Sequence, residues 1–182
     1  MSCRDAVPAD LLVLARLHID AWRAAYVGVM DPLLLESLAV EHALSRLRPA
    51  MEPKPPLVVV VEHGQSIVGF CRFGPSRDAD ALSGTGEVFA CNIAPNLWRK
   101  GFGRQLMSAA LSRLAESGYD VCKLWVLEQN HRARRFYSAL GFNPDGASRV
   151  EAARTPHPLP ELRYSRAIAR AAQQAVAADG DG

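Results

Sequence analysis

A glycine-containing turn between an apolar extended run and an amphipathic helix limits most strongly how this chain can fold. Residues 86–95 read as a strand, Gly101 and Gly103 form the turn, and residues 104–117 have helical periodicity. Such a turn leaves backbone N–H groups without acceptors at the positive end of a helix dipole, where a phosphate can bind. Three basic residues surround it: Arg99, Lys100 and Arg104. The stretch predicts an anion site, although glycines can also simply permit a tight bend.

Two common phosphate-binding patterns do not fit this turn. The nucleoside triphosphate loop ends in Gly-Lys-Ser/Thr, which the chain lacks here, and this argues against a kinase-like domain. The dinucleotide fingerprint needs a third small residue where this chain has Leu106. Acidic residues follow at about the right distance, at Glu116 and Asp120, but Pro95 and the basic turn are unlike that fingerprint.

Two motifs in order resemble the acetyl-CoA-binding region of the GNAT family of N-acetyltransferases. Residues 93–95, Ile-Ala-Pro, end the strand, and residues 98–103, Trp-Arg-Lys-Gly-Phe-Gly, form the turn. Trp98 stands where the family usually has Arg or Gln. Residues 130–142 then fill the family pattern Asn-x-x-Ala-x-x-Phe-Tyr-x-x-x-Gly-Phe. Two ordered motifs are more specific than one glycine pair.

The expected fold is α+β in a single domain over residues 2–166, followed by a frayed C-terminal tail at 167–182. The residues alone predict a hairpin of strands at 57–62 and 66–73, followed by a strand–helix–strand–helix unit. A helical stretch at 32–47 is expected to break near Ala39-Val40. The GNAT resemblance implies a mixed sheet of six or seven strands flanked by helices, splayed between the fourth and fifth strands to admit acetyl-CoA.

Composition excludes several other classes of protein. The 182 residues are 49% hydrophobic with a net charge of +2, which favours one globular domain and gives no argument for nucleic-acid binding. Four cysteines have no paired spacing, so thiols in a reducing cytosol are expected, without disulfides or a metal site. No signal peptide is recognisable, and no apolar run reaches the roughly 20 residues of a membrane span. We therefore expect a cytoplasmic protein.

The resemblance also implies which residues bind acetyl-CoA. The backbone of residues 91–94, unpaired where the sheet splays, would receive the pantetheine amides by strand addition. Asn130 would cap a helix, contact the cofactor, or both. The expected cofactor-binding residues are Cys91, Ile93, Ala94, Arg99, Lys100, Gly101, Phe102, Gly103, Arg104, Gln105, Asn130, Ala133, Phe136 and Tyr137. A covalent route through Cys91 is not expected, because nothing nearby in sequence would activate its thiol.

Glu87 and Tyr137 are the candidate catalytic residues. Strand alternation predicts that Glu87, Phe89, Cys91 and Ile93 share one face, where a lone carboxylate among apolar neighbours could take a proton. Alternatively, Glu87 is a solvated residue at the end of a strand. Tyr137 matches the general-acid tyrosine of the family, which protonates the departing thiolate, and its alternative is core packing.

The acceptor is expected to be a primary amine, on a small molecule or at a protein N-terminus. In the family the first helix and the loop after it line the acceptor cleft, which here suggests Trp22 and Tyr26 beside Glu87, with Asp31 as an acidic neighbour. Trp22 and Tyr26 could instead form one core-facing helical ridge. A homodimer, a longer acyl donor and a non-catalytic acyl-CoA-binding module all stay open.

Overall fold

The computed structural model describes residues 2–53, 55, 57–151 and 159–168. In chain order its strands and α-helices are β1 (Ser2–Asp5), α1 (Leu11–Ala25), α2 (Pro32–Glu36), α3 (Val40–Leu47), β2 (Val58–His63), β3 (Ser66–Pro75), β4 (Thr85–Ile93), α4 (Phe102–Glu116), β5 (Val121–Leu127), α5 (His131–Ser138), β6 (Asn143–Glu151) and β7 (Leu159–Ala167). The break between α2 and α3 and the hairpin of β2 and β3 are confirmed. Two short C-terminal strands, which the sequence predicts at 147–152 and 162–165, are present as the longer β6 and β7. The expected tail beyond Ile168 lies outside the described residues.

The described strands form one seven-stranded mixed sheet in the order β1-β2-β3-β4-β5-β7-β6. Neighbouring strands run antiparallel except β4 and β5, which are parallel. Helix α4 connects these two parallel strands, as a crossover between parallel neighbours requires. The predicted α+β fold with a mixed sheet flanked by helices is confirmed.

The sheet opens between its two parallel strands. Residues 85–88 of β4 pair with residues 121–124 of β5, and the pairing stops there although both strands continue. Two strands that diverge leave N–H and C=O groups without ladder partners on their facing edges. The splay expected between the fourth and fifth strands is therefore present.

Both faces of the sheet are covered. In β2, Val59 and Val61 pack in a core beneath α4, while Val58 and Val60 pack in a second core beneath α1 and α3. Such double burial explains why β2 is a continuous β-branched run and not an alternating one. The apolar stripe of α4 that covers the first core is Leu106, Met107, Ala110, Leu111 and Leu114.

A β-bulge in β4 corrects the predicted alternation. Arg72 pairs with Ala90 but the next residue of β3 pairs with Val88, so Phe89 is the extra residue. Cys91 and Ile93 consequently pack against the α4 core, as Val88 does. Glu87, one residue from Val88 along the strand, faces the opposite side of the sheet. The prediction that Glu87 shares a face with Cys91 and Ile93 was wrong, because strand periodicity does not persist across a bulge.

No helix in the described ranges has the length and apolar character that crossing a bilayer would require. The domain limits at residues 2 and 166 stay predictions.

Candidate active site

A cleft of about 1110 Å³ runs through the opening of the sheet. One end of the cleft is bounded by the glycine turn and the start of α5, and the other by α1, α3 and the β3–β4 loop. The strand edges of β4 and β5 form its floor. A ligand can therefore contact the helix terminus and the strand edges at the same time.

The glycine turn presents a row of unpaired backbone donors. Among the described residues, no acceptor receives a hydrogen bond from the N–H groups of residues 99–103, whereas the N–H groups of Arg104 and Gln105 reach the Gly101 carbonyl. Two residues of the turn have left-handed backbones, Arg99 (φ 63°) and Gly101 (φ 90°). A non-glycine residue in that region is uncommon. We call the N–H groups of residues 99–103 the anion cradle.

Gly103 is a point of close contact between α4 and α5. A Cβ atom at this position would lie 3.1 Å from Cζ of Phe136 and 3.9 Å from Cγ1 of Ile93. Only a residue without a side chain lets these elements approach so closely. The glycine therefore serves close packing of α4 against α5, and its role at the anion cradle stays a prediction.

The β4 edge that faces the opening carries the donors expected for strand addition, with one correction. Because Ala94 N–H bonds to the Val68 carbonyl at 2.8 Å, antiparallel alternation turns the N–H groups of Cys91 and Ile93 toward the opening. The Ala94 carbonyl accepts from Leu97 N–H. The expectation of an unpaired backbone is thus wrong for Ala94, whose donor and acceptor are both used within the protein, and for Asn92, which pairs with Phe70 of β3.

Trp98, the departure from the family motif, has a defined structural role. Its indole Nε1 donates to the Ile93 carbonyl at 2.8 Å, and the Arg132 guanidinium carbon lies 3.4 Å from the centre of its ring. This cation–π contact joins the glycine turn to α5 across the opening. Arg132 was not predicted from the sequence, because its place on the cleft depends on α5 meeting the turn.

Asn130 caps α5. Its Oδ1 accepts the Ala133 N–H at 3.0 Å, so the capping alternative is confirmed. Asn130 also lies close to Tyr26 of α1: burial raises the pKa of the Tyr26 phenol, and the Asn130 side chain opposes that shift. The end of α1 therefore meets the start of α5 across the cleft.

Tyr137 lies on α5 with its ring against Phe136 (5.3 Å) and Phe142 (6.1 Å). Burial, followed by the nearby Cys91 thiol, raises the pKa of Tyr137 well above its ordinary value. The phenol is consequently protonated at neutral pH. It lines the cleft, and its hydroxyl makes no hydrogen bond to any described residue. Packing holds the ring, and the proton is available to a ligand.

Glu87 is 2% exposed and is not the lone carboxylate that the sequence suggested. Its Oε2 accepts the Arg77 N–H at 3.0 Å, and its Oε1 accepts from Arg77 Nη2 at 3.1 Å. The expectation of purely apolar neighbours was therefore wrong. Arg77 lies in the irregular β3–β4 connection, where no periodicity indicates a partner. Glu87 nevertheless lines the cleft.

Trp22 and Tyr26 belong to the cleft wall and to neither hydrophobic core. Their rings meet edge to face at 5.1 Å, and the His18 ring lies 5.0 Å from Trp22. This settles their placement against the core-ridge alternative. Asp31 is different: its Oδ1 accepts the Leu33 N–H at 2.8 Å and caps α2, and it does not line the cleft. We call the part of the cleft between α1 and Glu87 its acceptor end.

His18 and Asn92 form a polar pair at the acceptor end. Asn92 Nδ2 lies 3.1 Å from His18 Nδ1, and because an amide nitrogen only donates, Nδ1 acts as the acceptor. Burial, then the positive charges of Arg46 and Arg72, lower the pKa of His18 from 6.5 to about 4. The imidazole is neutral at pH 7, and the pair was missed because the two residues are 74 positions apart.

The His18 shift predicts how stability changes with pH. The folded-state pKa is below the unfolded one, so between pH 6.5 and about 4 the unfolded chain binds the proton more readily. Stability should fall as the pH is lowered through this window, by at most about 1.4 kcal/mol per pH unit. Urea denaturation of the parent and of His18→Gln measures it. His131→Gln, on the exposed surface of α5, is the control. Equal pH dependence in all three proteins would contradict the prediction.

Most expected site residues lie on the cleft. Those that line it are Trp22, Tyr26, Glu87, Cys91, Ile93, Arg99, Gly101, Gly103, Arg104, Asn130, Ala133, Phe136 and Tyr137. Those that do not are Ala94, Lys100, Phe102 and Gln105. The Phe102 side chain is buried with its ring 5.5 Å from His63, so only its backbone can serve the anion cradle. No group of three possible metal-ligating side chains occurs in the described part of the chain.

Comparison with known proteins agrees with this geometry. The family model described as the acetyltransferase (GNAT) family matches residues 16–142. An uncharacterized N-acetyltransferase of Bacillus subtilis, YuaI, is 29% identical over 130 residues, which are 71% of this chain and 73% of that protein. A probable N-acetyltransferase of Mycobacterium tuberculosis, Rv2775, is 29% identical over 149 residues, 79% of this chain and 80% of the relative.

A solved structure shares the fold. The structure of yncA from Salmonella typhimurium, with its cofactor acetyl-CoA, superposes with a TM-score of 0.71 at 20% identity, over 94% of this chain and 95% of the other. The mixed, splayed sheet and the cleft within it define the class of protein as an acyltransferase fold. The match over residues 16–142 is more than half of the chain, and the chain belongs to the GNAT family of acetyltransferases.

Proposed function

We propose that this protein transfers an acetyl group from acetyl-CoA directly to a primary amine, with both substrates bound together. The observation that carries the proposal is the continuity of the cleft. It joins the anion cradle, the outward N–H groups of Cys91 and Ile93, and the Tyr137 hydroxyl. The Salmonella relative was solved with acetyl-CoA, which supports the choice of donor.

The residues present suit each part of that donor. The anion cradle, with Arg99 and Arg104 beside it, would hold the pyrophosphate. The Cys91 N–H would bind a pantetheine amide as an added strand would, which leaves the Ile93 N–H for the thioester carbonyl. These contacts leave the acyl end of the donor near Tyr137, which lines the same cleft.

The chemistry requires two proton transfers. Glu87 accepts a proton from the acceptor ammonium, directly or through water, because an amine attacks only when its lone pair is free. The amine nitrogen bonds to the thioester carbonyl carbon while the Ile93 N–H stabilises the negative charge on the carbonyl oxygen. The C–S bond breaks, and Tyr137 gives its proton to the departing thiolate. The products are an N-acetyl amine and free CoA.

The Arg77–Glu87 ion pair is an observation that supports an alternative function, a non-catalytic acyl-CoA-binding module. A carboxylate that already accepts two hydrogen bonds has fewer lone pairs for an ammonium group. A non-catalytic acyl-CoA-binding module would need only the anion cradle and the opened sheet. The observation that favours the enzyme is the Tyr137 hydroxyl, which has no hydrogen-bond partner among the described residues. Whether the protein could transfer a longer acyl group depends on the space beside Phe89.

The test of the proposal is an acceptor screen. Small-molecule amines and short peptides with free N-termini are incubated with acetyl-CoA and the protein, and release of free thiol is followed. Thiol release that depends on the amine, with the N-acetyl product found by mass spectrometry, supports the transferase. CoA binding measured by calorimetry without turnover on any amine supports the binding module instead.

The anion cradle gives a direct prediction. Gly103→Val should lower the affinity for CoA at least tenfold, because the added side chain meets Phe136 and narrows the approach to the backbone donors. Calorimetry with CoA measures the effect, and thermal unfolding shows whether α4 still packs. Ser108→Val places the same side chain on the exposed face of the same helix and should bind CoA as the parent does. A folded Gly103→Val protein that binds CoA with undiminished affinity would contradict the proposal that the anion cradle binds CoA.

A further inference from the structure

The charges along the cleft do not balance, and part of the excess positive charge lies at the acceptor end, away from the anion cradle. The carboxylates that line the cleft are Asp78, Glu87 and Glu161. Each already has an arginine partner: Arg163 at 3.1 Å, Arg77 at 3.1 Å and Arg149 at 2.6 Å, respectively. Among the described residues, no acidic side chain on the cleft is therefore left to neutralise a further cation.

The arginines on the cleft outnumber these carboxylates. They are Arg46, Arg72, Arg77, Arg99, Arg104, Arg132 and Arg149. Arg77 and Arg149 are paired, while Arg99, Arg104 and Arg132 lie at the end proposed for the donor phosphates. Arg46 and Arg72 are left at the acceptor end, and no carboxylate among the described residues forms an ion pair with either of them.

Arg72 is held rigidly in a half-buried position. Its Nη1 donates to the Arg46 carbonyl at 2.7 Å, near the end of α3, and its guanidinium carbon lies 4.9 Å from the centre of the Phe89 ring. Arg77 covers the same ring at 4.0 Å. Burial, then repulsion from Arg77 and Arg46, lowers the pKa of Arg72, and attraction from the paired Glu87 carboxylate offsets only part of that shift. A backbone carbonyl at a helix end offsets part of one charge, but it is not a counter-ion.

A partly desolvated cation without a counter-ion costs free energy, and that cost falls when an anion binds. The lowered pKa of His18 reports the same positive potential, because Arg46 and Arg72 contribute to it. Both arginines lie on the cleft that also contains Glu87. Arg77 stacks on the Phe89 ring beside Arg72 and pairs with Glu87, so an anion at Arg72 is close to the proposed base.

We infer that the acceptor of this enzyme is an amine that also carries an anionic group, a carboxylate or a phosphate, which Arg46 and Arg72 bind. The inference rests on the proposed function and names its substrate class. Arg46 and Arg72 recognise the acceptor and position its amine toward Glu87, and they take no part in the proton transfers. A guanidinium fork suits both oxyanions, since each offers two or more oxygens in one plane.

The first arm of the test compares matched acceptors by thiol release from acetyl-CoA. Alpha-amino acids are paired with the amines that lack their carboxylate, and aminoalkyl phosphates with the corresponding amino alcohols. The anionic member of at least one series should have the higher kcat/KM, by tenfold or more, and the series that shows it identifies the anion. Equal kcat/KM for charged and neutral members of both series would overturn the inference while the transferase stands.

The second arm uses variants. Arg46 is exposed and its side chain makes no hydrogen bond to described residues, so Arg46→Gln should fold normally. It should raise KM about tenfold or more for the anionic acceptor, with a smaller effect on kcat, and so reduce the difference in kcat/KM between anionic and neutral acceptors. Arg72→Lys should retain more affinity than Arg72→Met. Arg16→Gln, an exposed change on α1 away from the cleft, is the control. An Arg46→Gln protein with unchanged KM for every anionic acceptor would contradict the inference.

The third arm separates this inference from the proposed function. N-acetyl amino acids and N-acetyl amines of the same side chain are titrated into the protein by calorimetry, without any turnover. Binding of the anionic ligand that weakens in Arg46→Gln supports the anion subsite even if no amine is acetylated. The absence of acetylation would then contradict only the proposed transferase activity. Acetylation of amines without any anion-dependent binding would contradict the anion subsite and leave the proposed transferase standing.

Discussion

Replacing Glu87 with Gln is expected to lower turnover at neutral pH by roughly 10²–10⁴-fold, the usual contribution of a general base. The amide has the size of the carboxylate, but its one oxygen can accept only one of the two Arg77 hydrogen bonds, so the change removes basicity together with the ion pair and one hydrogen bond. The fold should survive, because the Arg77 side chain is 61% exposed and water can solvate it when its partner loses charge. Affinity for CoA should barely change.

The pH–rate profile makes this expectation specific. Raising the pH towards the pKa of the acceptor amine should restore part of the lost rate, since the amine then arrives without its proton. Glu161→Gln is a matched control, because Glu161 also lines the cleft and also pairs with an arginine, Arg149. If the acidic limb of the pH–rate profile were identical in Glu87→Gln and the parent, another group, or water alone, would take the proton from the acceptor amine.

The end of the cleft beside the glycine turn could be predicted from the sequence, because the residues that shape it lie close together along the chain. Gly101 must adopt a positive φ, Gly103 must lack a side chain, and Asn130 must cap the helix that it precedes. Each requirement concerns residues within a few positions of one another. Helical and strand periodicity likewise predict α4 and β5, whose buried faces follow directly from their patterns of apolar residues.

The acceptor end could not be predicted in the same way, because its geometry depends on pairing between distant segments. The bulge at Phe89 exists only in the register of β4 against β3, and it alone separates Glu87 from the face of Cys91. The partner of Glu87 comes from a loop without periodicity. A sequence shows that Arg46 and Arg72 are present, but only the packing of α3 on the sheet shows that the Arg72 side chain reaches the Arg46 carbonyl and that both residues line the cleft.

Removing the Tyr137 hydroxyl is expected to separate catalysis from binding. Tyr137→Phe keeps the ring contacts with Phe136 and Phe142, and the lost hydroxyl has no partner among the described residues. Stability and CoA affinity should therefore stay within about 1 kcal/mol of the parent. Turnover should fall by roughly 10²-fold or more, since protonation of the thiolate helps only in the transition state. Tyr119→Phe, packed against the same core at the far end of α4, is the control.

The size of the Tyr137→Phe effect should depend on the leaving group. A thiolate from a more acidic thiol departs with less help, so an acyl donor with such a thiol should recover part of the lost rate in the variant and gain less in the parent. The raised pKa of Tyr137 adds a second signature, because a phenol that keeps its proton should sustain activity to a higher pH than an ordinary tyrosine. Identical rates for parent and Tyr137→Phe on every thioester would make the phenol a packing residue, and the proton for the thiolate would then come from water in the cleft.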